Sequence, residues 1–206
     1  MNPFDRKKHW ETIYQTKKLE EVSWYQPTPD TSLQLIEKHC NSTNASIIDI
    51  GGGDSFLVDN LLELGYSNIT VLDISEAAIN RAKERLGEKA TEVKWIVADA
   101  SKFTTTQKYD LWHDRAAFHF LTDSAEIDNY IETAHSSLNI RGTLVIGTFF
   151  EDGPTKCSGI EIKQYSEKTM VDRLSEYFNK KECFTTEHKT PSGSIQNFVF
   201  CSFNKK

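Results

Sequence analysis

The sequence predicts an α/β fold: an open, mostly parallel sheet with helices on both faces, closing in a C-terminal antiparallel hairpin. Three observations carry this. A β-branched run, Ile47-Ile48-Asp49-Ile50, breaks into Gly51-Gly52-Gly53. Apolar residues at helical spacing follow (Phe56, Leu57, Leu61, Leu62, Leu64), so strand, tight turn and helix succeed one another directly. Strand-like and helix-like stretches then alternate along the chain, as a parallel sheet with crossover helices requires. Finally, two β-rich runs flank Thr190-Pro191-Ser192-Gly193-Ser194, a turn composition that makes them a hairpin.

Residues 1–29 are mixed in charge and rich in aromatics. A helix over 9–17 would place Trp10 and Tyr14, four residues apart, on one face. Pro27 and Pro29 keep the following chain extended or turning. This segment reads equally as a surface arm anchored by its aromatics or as a lid over a ligand. Asp30 is the expected N-cap of a helix reaching about residue 39, with Leu33, Leu35 and Ile36 inward. After the glycine turn and its helix, Gly65 marks a stop and 69–72 a second strand ending at Asp73. Ser75 caps a helix over 76–86. Val93–Val97 is a third strand leading to Asp99, and 109–112 a fourth leading to His113-Asp114-Arg115. A long helix over 125–139 has Ile127, Tyr130, Ile131, Ala134 and Leu138 inward, with Gly142 beyond its end. A strand over 143–149, a helix over 166–178 and the hairpin 184–189/196–203 complete the chain.

With 206 residues, one domain is expected over 1–206, an N-terminal arm (1–29) preceding a core (30–206). The net charge is −6 and no Lys/Arg cluster interleaves with aromatics, which argues against nucleic-acid binding. Cys40, Cys157, Cys183 and Cys201 lack metal-site spacing, so no metal is expected; Cys40, Cys183 and Cys201 read as small hydrophobes. The N-terminus is polar and no apolar run has spanning length, so neither a signal peptide nor a membrane partner is expected. A reduced, cytoplasmic setting follows as the default.

In open α/β sheets, ligands sit beyond the carboxyl ends of the strands. Asp49, Asp73 and Asp99 fall in or at such ends. Asp73 is placed, after the glycine turn, where a carboxylate accepts the two hydroxyls of a ribose. A dinucleotide fingerprint would need glycine at position 56, where the chain has Phe56, which disfavours the rival reading of a nucleotide-dependent oxidoreductase. The form Asp49-x-Gly51-x-Gly53 resembles instead the first motif of the class I S-adenosylmethionine (SAM) methyltransferases, with Ser55 where that family often has a third glycine. The resemblance implies a Rossmann-like seven-stranded sheet and SAM as cofactor. It places Asp49 at the methionine amine, Gly51 and Gly53 at the turn, Asp73 and Ile74 at the ribose, and Asp99 and Ala100 at adenine.

The stretch 109–121 is similar to a segment of thiopurine-type and elongation-factor-lysine-type methyltransferases, matched by Asp114, Arg115, Ala116 and Ala117. Trp10, Tyr14, Trp24 and Tyr25 are similar to the aromatic arm of those relatives, which implies that Trp10 and Trp24 touch the cofactor. Asp114, Arg115, Phe118 and His119 are then the residues expected to meet the acceptor, with His119 the candidate general base. His113 is a weaker candidate, and the loop 151–165 is expected to line the acceptor site. The expected function is methyl transfer from SAM to a small polar metabolite or thiol. A protein-lysine methyltransferase and a non-catalytic SAM-binding module are the alternatives.

Overall fold

The computed structural model describes residues 4–206. Five strands run parallel: β1 (Ile47–Ile50), β2 (Ile69–Asp73), β3 (Val93–Val97), β4 (Tyr109–Arg115) and β5 (Leu138–Phe149). A two-stranded ribbon follows, β6 (Lys156–Cys157) and β7 (Ile160–Glu161), and then the hairpin β8 (Phe178–Lys189) and β9 (Ile195–Lys205). The main sheet has seven strands in the order β3-β2-β1-β4-β5-β9-β8. The antiparallel strand lies inside the sheet: β9 pairs antiparallel with both β5 and β8, and β8 forms the border.

Helices α1 (Arg6–Thr16), α2 (Asp30–His39), α3 (Leu57–Glu63), α4 (Glu76–Leu86), α5 (Ser124–Ser137) and α6 (Glu167–Leu174) surround the sheet. Alternation along each strand divides the core. Ile48, Ile50, Trp112 and Ile146 pack with Ile127, Tyr130, Ile131 and Met170 of α5 and α6. Ile47, Leu111 and Val145 pack with Leu33, Ile36, Leu57 and Leu61 of α2 and α3. Covering both faces explains why β1 is apolar without alternation.

Several boundaries differ from expectation: α1 already begins at Arg6, and β4 runs on to Arg115. Asp30 is the first residue of α2, with Pro29 at the cap. Helix α5 ends at Ser137 because Leu138 already pairs with Tyr109 across the sheet. Helix α6 stops at Leu174, and Phe178 enters β8 opposite Lys205. The reading of Cys183 and Cys201 as separate hydrophobes is also corrected. The hairpin register sets them directly opposite, and their sulfurs are bonded. Among the described residues, no helix is long and apolar enough to cross a membrane.

Candidate functional site

Strand order reverses between β1 and β4, and a cleft opens there at the carboxyl ends of the strands. Its wall can be followed across the sheet: Asp99 and Ala100 after β3, Asp73 and Ile74 at β2, Gly51 after β1, Arg115 at β4, Phe149 at β5 and Phe198 on β9. A smaller cavity adjoins it, sharing Trp24, Gly51, Gly52 and Arg115 and adding Asp49, His113 and Ser32.

Two glycines are explained by close approach. Gly51 has φ 69°, and a Cβ on it would lie 2.6 Å from that of Ala117. Gly53 has φ 36°, and its Cβ would lie 2.6 Å from Asp73 Oδ2. Gly53 therefore backs Asp73 rather than lining the cleft. Asp73 Oδ1 accepts from the Ser75 amide at 2.8 Å. Burial lifts its pKa to about 7, opposed by that amide and helped by the charges of Asp49 and Glu11. Asp99 is engaged by Ser101, whose Oγ donates to it at 2.7 Å, and by Arg6 at 3.3 Å.

Asp49 belongs to a buried chain of three side chains. Its Oδ1 meets His113 Nδ1 at 2.7 Å, and His113 Nε2 meets Ser32 Oγ at 2.9 Å. With the aspartate ionised, Nδ1–H donates to it and a neutral ring accepts from the serine. The arrangement fixes the carboxylate and leaves Oδ2 beside Gly52.

The N-terminal segment lies over the cleft. Trp10 stands 5.6 Å from Trp24 and 5.0 Å from Phe120, ring centre to ring centre, and Tyr14 lies 6.2 Å from Trp24. Trp10, Tyr14, Trp24 and Phe120 all line it. Polar straps hold α1 down. Glu11 accepts from the Glu76 and Ala77 amides at 2.6 and 3.0 Å, capping α4. Arg81 donates to the Tyr14 and Lys17 carbonyls, and Arg6 bridges Asp99 and Glu126.

Comparison with known proteins adds a family. A methyltransferase-domain profile matches residues 41–193. The chain belongs to the methyltransferase-domain family. Among its curated relatives, malonyl-[acyl-carrier protein] O-methyltransferase 1 of Ilyobacter polytropus is 28% identical over 149 residues, 69% of this chain and 54% of that protein. The chain thus spans about half the length of that relative and less of the next ones. The N-methyltransferase NodS of Bradyrhizobium japonicum WM9, solved with S-adenosyl-L-homocysteine (SAH), superposes with TM-score 0.73 at 17% identity, covering 98% of this chain and 99% of that one. The 1,6-didemethyltoxoflavin-N1-methyltransferase of Burkholderia thailandensis superposes with TM-score 0.72 at 16% identity, covering 100% and 93%. The fold is that of the class I SAM-dependent methyltransferases, as the glycine-turn resemblance implied.

In this chain, Trp10, Trp24, Gly51, Asp73, Ile74, Asp99 and Ala100 come together around one cleft, with Asp49 in the adjoining cavity. The group expected to meet the acceptor divides. Arg115 lines the cleft, whereas Asp114, Phe118 and His119 are buried away from it. Asp114 faces α5 and accepts from Tyr130 Oη at 2.7 Å and from the Ala117 and Phe118 amides. Burial outweighs these donors and lifts its pKa to about 6. Phe118 packs between Tyr130 and Tyr165.

The expectation of His119 as general base is corrected. Its ring stacks 4.7 Å from Phe149, and Nδ1 accepts from the Phe149 amide at 3.4 Å. Burial, then the charge of Arg115, lowers its pKa to about 3, so it neither reaches the cleft nor takes a proton near neutrality. Of the loop 151–165, Cys157 lines the cleft. Sequence reasoning missed Phe149 and Phe198, which face each other only through the β5–β9 register, and Arg6, whose partners are distant in sequence.

Proposed function

We propose that the protein transfers a methyl group from SAM to a small polar acceptor enclosed beneath the N-terminal arm. The observation that carries this reading is the continuity of the cleft, from the ends of β3, β2 and β1 past Arg115 to Phe149 and Phe198. The first half fits the cofactor. Asp73 would accept the ribose hydroxyls, Asp99 and the Ala100 amide would meet adenine, and Asp49 Oδ2 would hold the methionine ammonium. Bound there, SAM supplies a methyl carbon already activated toward nucleophiles.

The chain's part is to position and to exclude water. Trp10, Tyr14, Trp24 and Phe120 wall off the second half, and Phe149 and Phe198 floor it. Within that half the titratable lining groups are Tyr14, Arg115 and Cys157, and burial raises both the Tyr14 hydroxyl and the Cys157 thiol. None of the three is a ready base near neutrality, so the acceptor is one that arrives as a free nucleophile or sheds its proton to solvent. A roofed cleft suits a small molecule, since a folded protein acceptor docks through about 800 Å² per partner.

Thermal unfolding tests the cofactor assignment. SAH at about a hundred times its dissociation constant stabilises by about 2.7 kcal/mol, a rise in Tm of roughly 5–10 °C for a chain of this size. NAD and ATP should give no shift; an equal rise with NAD would sink the reading. Incubation with methyl-labelled SAM and cell extract then tests the acceptor, with label expected in the small-molecule fraction. Label confined to one protein band would favour a protein acceptor instead.

A further inference from the structure

Arg115 is set apart from the other arginines around the cleft. Arg6 carries Asp99 and Glu126, Arg81 carries Asp54, and Arg85 carries Asp54 and Asp59. Arg115 has no carboxylate within ion-pair distance among the described residues. Asp114, its neighbour in the chain, is spent on Tyr130 and two amides on the other side of the strand. Arg115 Nη1 donates to the Trp24 carbonyl at 3.1 Å. Its Nη2 is sealed from solvent and has no acceptor. A buried guanidinium nitrogen left without an acceptor is costly, and such costs persist where a ligand relieves them.

The direction of the side chain matters as much as its vacancy. Strand β4 lies next to β1, yet the guanidinium reaches across β5 to stack on Phe198 of β9, 4.9 Å from the ring centre. The stacked guanidinium thus borders the half of the cleft floored by Phe149 and Phe198, while the side chain also lines the smaller cavity beside the glycine turn, where the Asp49 charge acts on it. Burial lowers its pKa only to about 10, so it stays charged at neutral pH.

We propose that Arg115 is the seat of a carboxylate on the methyl acceptor, and that the acceptor is an apolar or aromatic body bearing that carboxylate. The planar fork suits two parallel hydrogen bonds to a carboxylate, and the aromatic walls take the remainder. This rests on the proposed methyltransferase reading. The one other source of the same chemistry is the cofactor's own carboxylate, and the experiment separates the two.

SAH is titrated first into the full chain; failure to bind sinks the methyltransferase reading itself. The SAH-loaded protein is then titrated with 3-phenylpropionate and with 3-phenylpropionamide, matched probes that differ in charge. The acid should bind at least tenfold more tightly than the amide. In Arg115→Met that preference should vanish, with SAH affinity held within about threefold; Arg115→Lys should keep part of it, and serves if the methionine variant does not fold. Equal binding of acid and amide, binding of neither, or a preference that survives in Arg115→Met overturns the proposal. So does a tenfold loss of SAH affinity in Arg115→Met when decarboxylated SAH binds variant and wild type alike, because the carboxylate seated there would be the cofactor's.

Discussion

Asp73 couples the site to pH in two opposite senses. Its pKa is raised from 3.8 to about 7, chiefly by burial. In the free protein its contribution to stability is fully present below the unfolded value and is lost as pH rises through about 7. Ribose hydroxyls donate to the ionised form, so binding follows the reverse course. SAH affinity should fall as pH drops below about 7, by up to tenfold per unit, and Asp73→Asn should flatten the profile while weakening binding at pH 8. Calorimetry at pH 5.5, 7 and 8.5 decides; a flat wild-type profile would remove Asp73 from the ribose. His113 permits a similar separation of roles. In His113→Asn the amide nitrogen replaces Nδ1 and still donates to Asp49, whereas His113→Phe cannot. The lost charge-assisted bond contributes about 1.5–3 kcal/mol. SAH affinity should drop at least tenfold in the phenylalanine variant and stay within about threefold in the asparagine one. Similar affinities in both variants would show that the ring only fills space.

At the scale of elements, the arm is held by polar straps rather than by a large apolar face, Trp10 being its one buried residue within α1. Glu11 is the strap nearest the end of β2, where the ribose is proposed to sit, because it caps α4 just after Asp73 and Ile74. Glu11→Ala should cost about 1 kcal/mol of stability as a lost cap. SAH release, followed by stopped-flow fluorescence of Trp10 and Trp24, should quicken several-fold. An unchanged release rate would mean that the arm does not gate the cofactor. Local chemistry made many elements readable. Ser75 caps α4 through the Ala78 amide, and Ser166 caps α6 in a reciprocal box with Thr169. What local chemistry hid was pairing. Nothing near residue 138 signals that Leu138 leaves the helix to meet Tyr109, and nothing near Cys183 names Cys201 as its neighbour.

At the scale of the molecule, the grouping of Asp73, Ile74, Asp99 and Ala100 around one cleft was legible because these residues lie on short turns after successive strands, at intervals a sequence displays. The acceptor half was not. Asp114, Phe118 and His119 stand beside Arg115 in the chain, but a strand sends alternate side chains to opposite faces and the turn after it buries the rest. Only Arg115 keeps the cleft. Its counterpart wall, Phe198, comes from the last strand. That position has a consequence for synthesis. Strand β9 is laid between β5 and β8, so while the ribosome is still making residues 195–205, β5 presents a long unpaired edge and the cleft lacks a side. At a few to twenty residues per second, the nascent chain spends on the order of a second in that state for β9 alone.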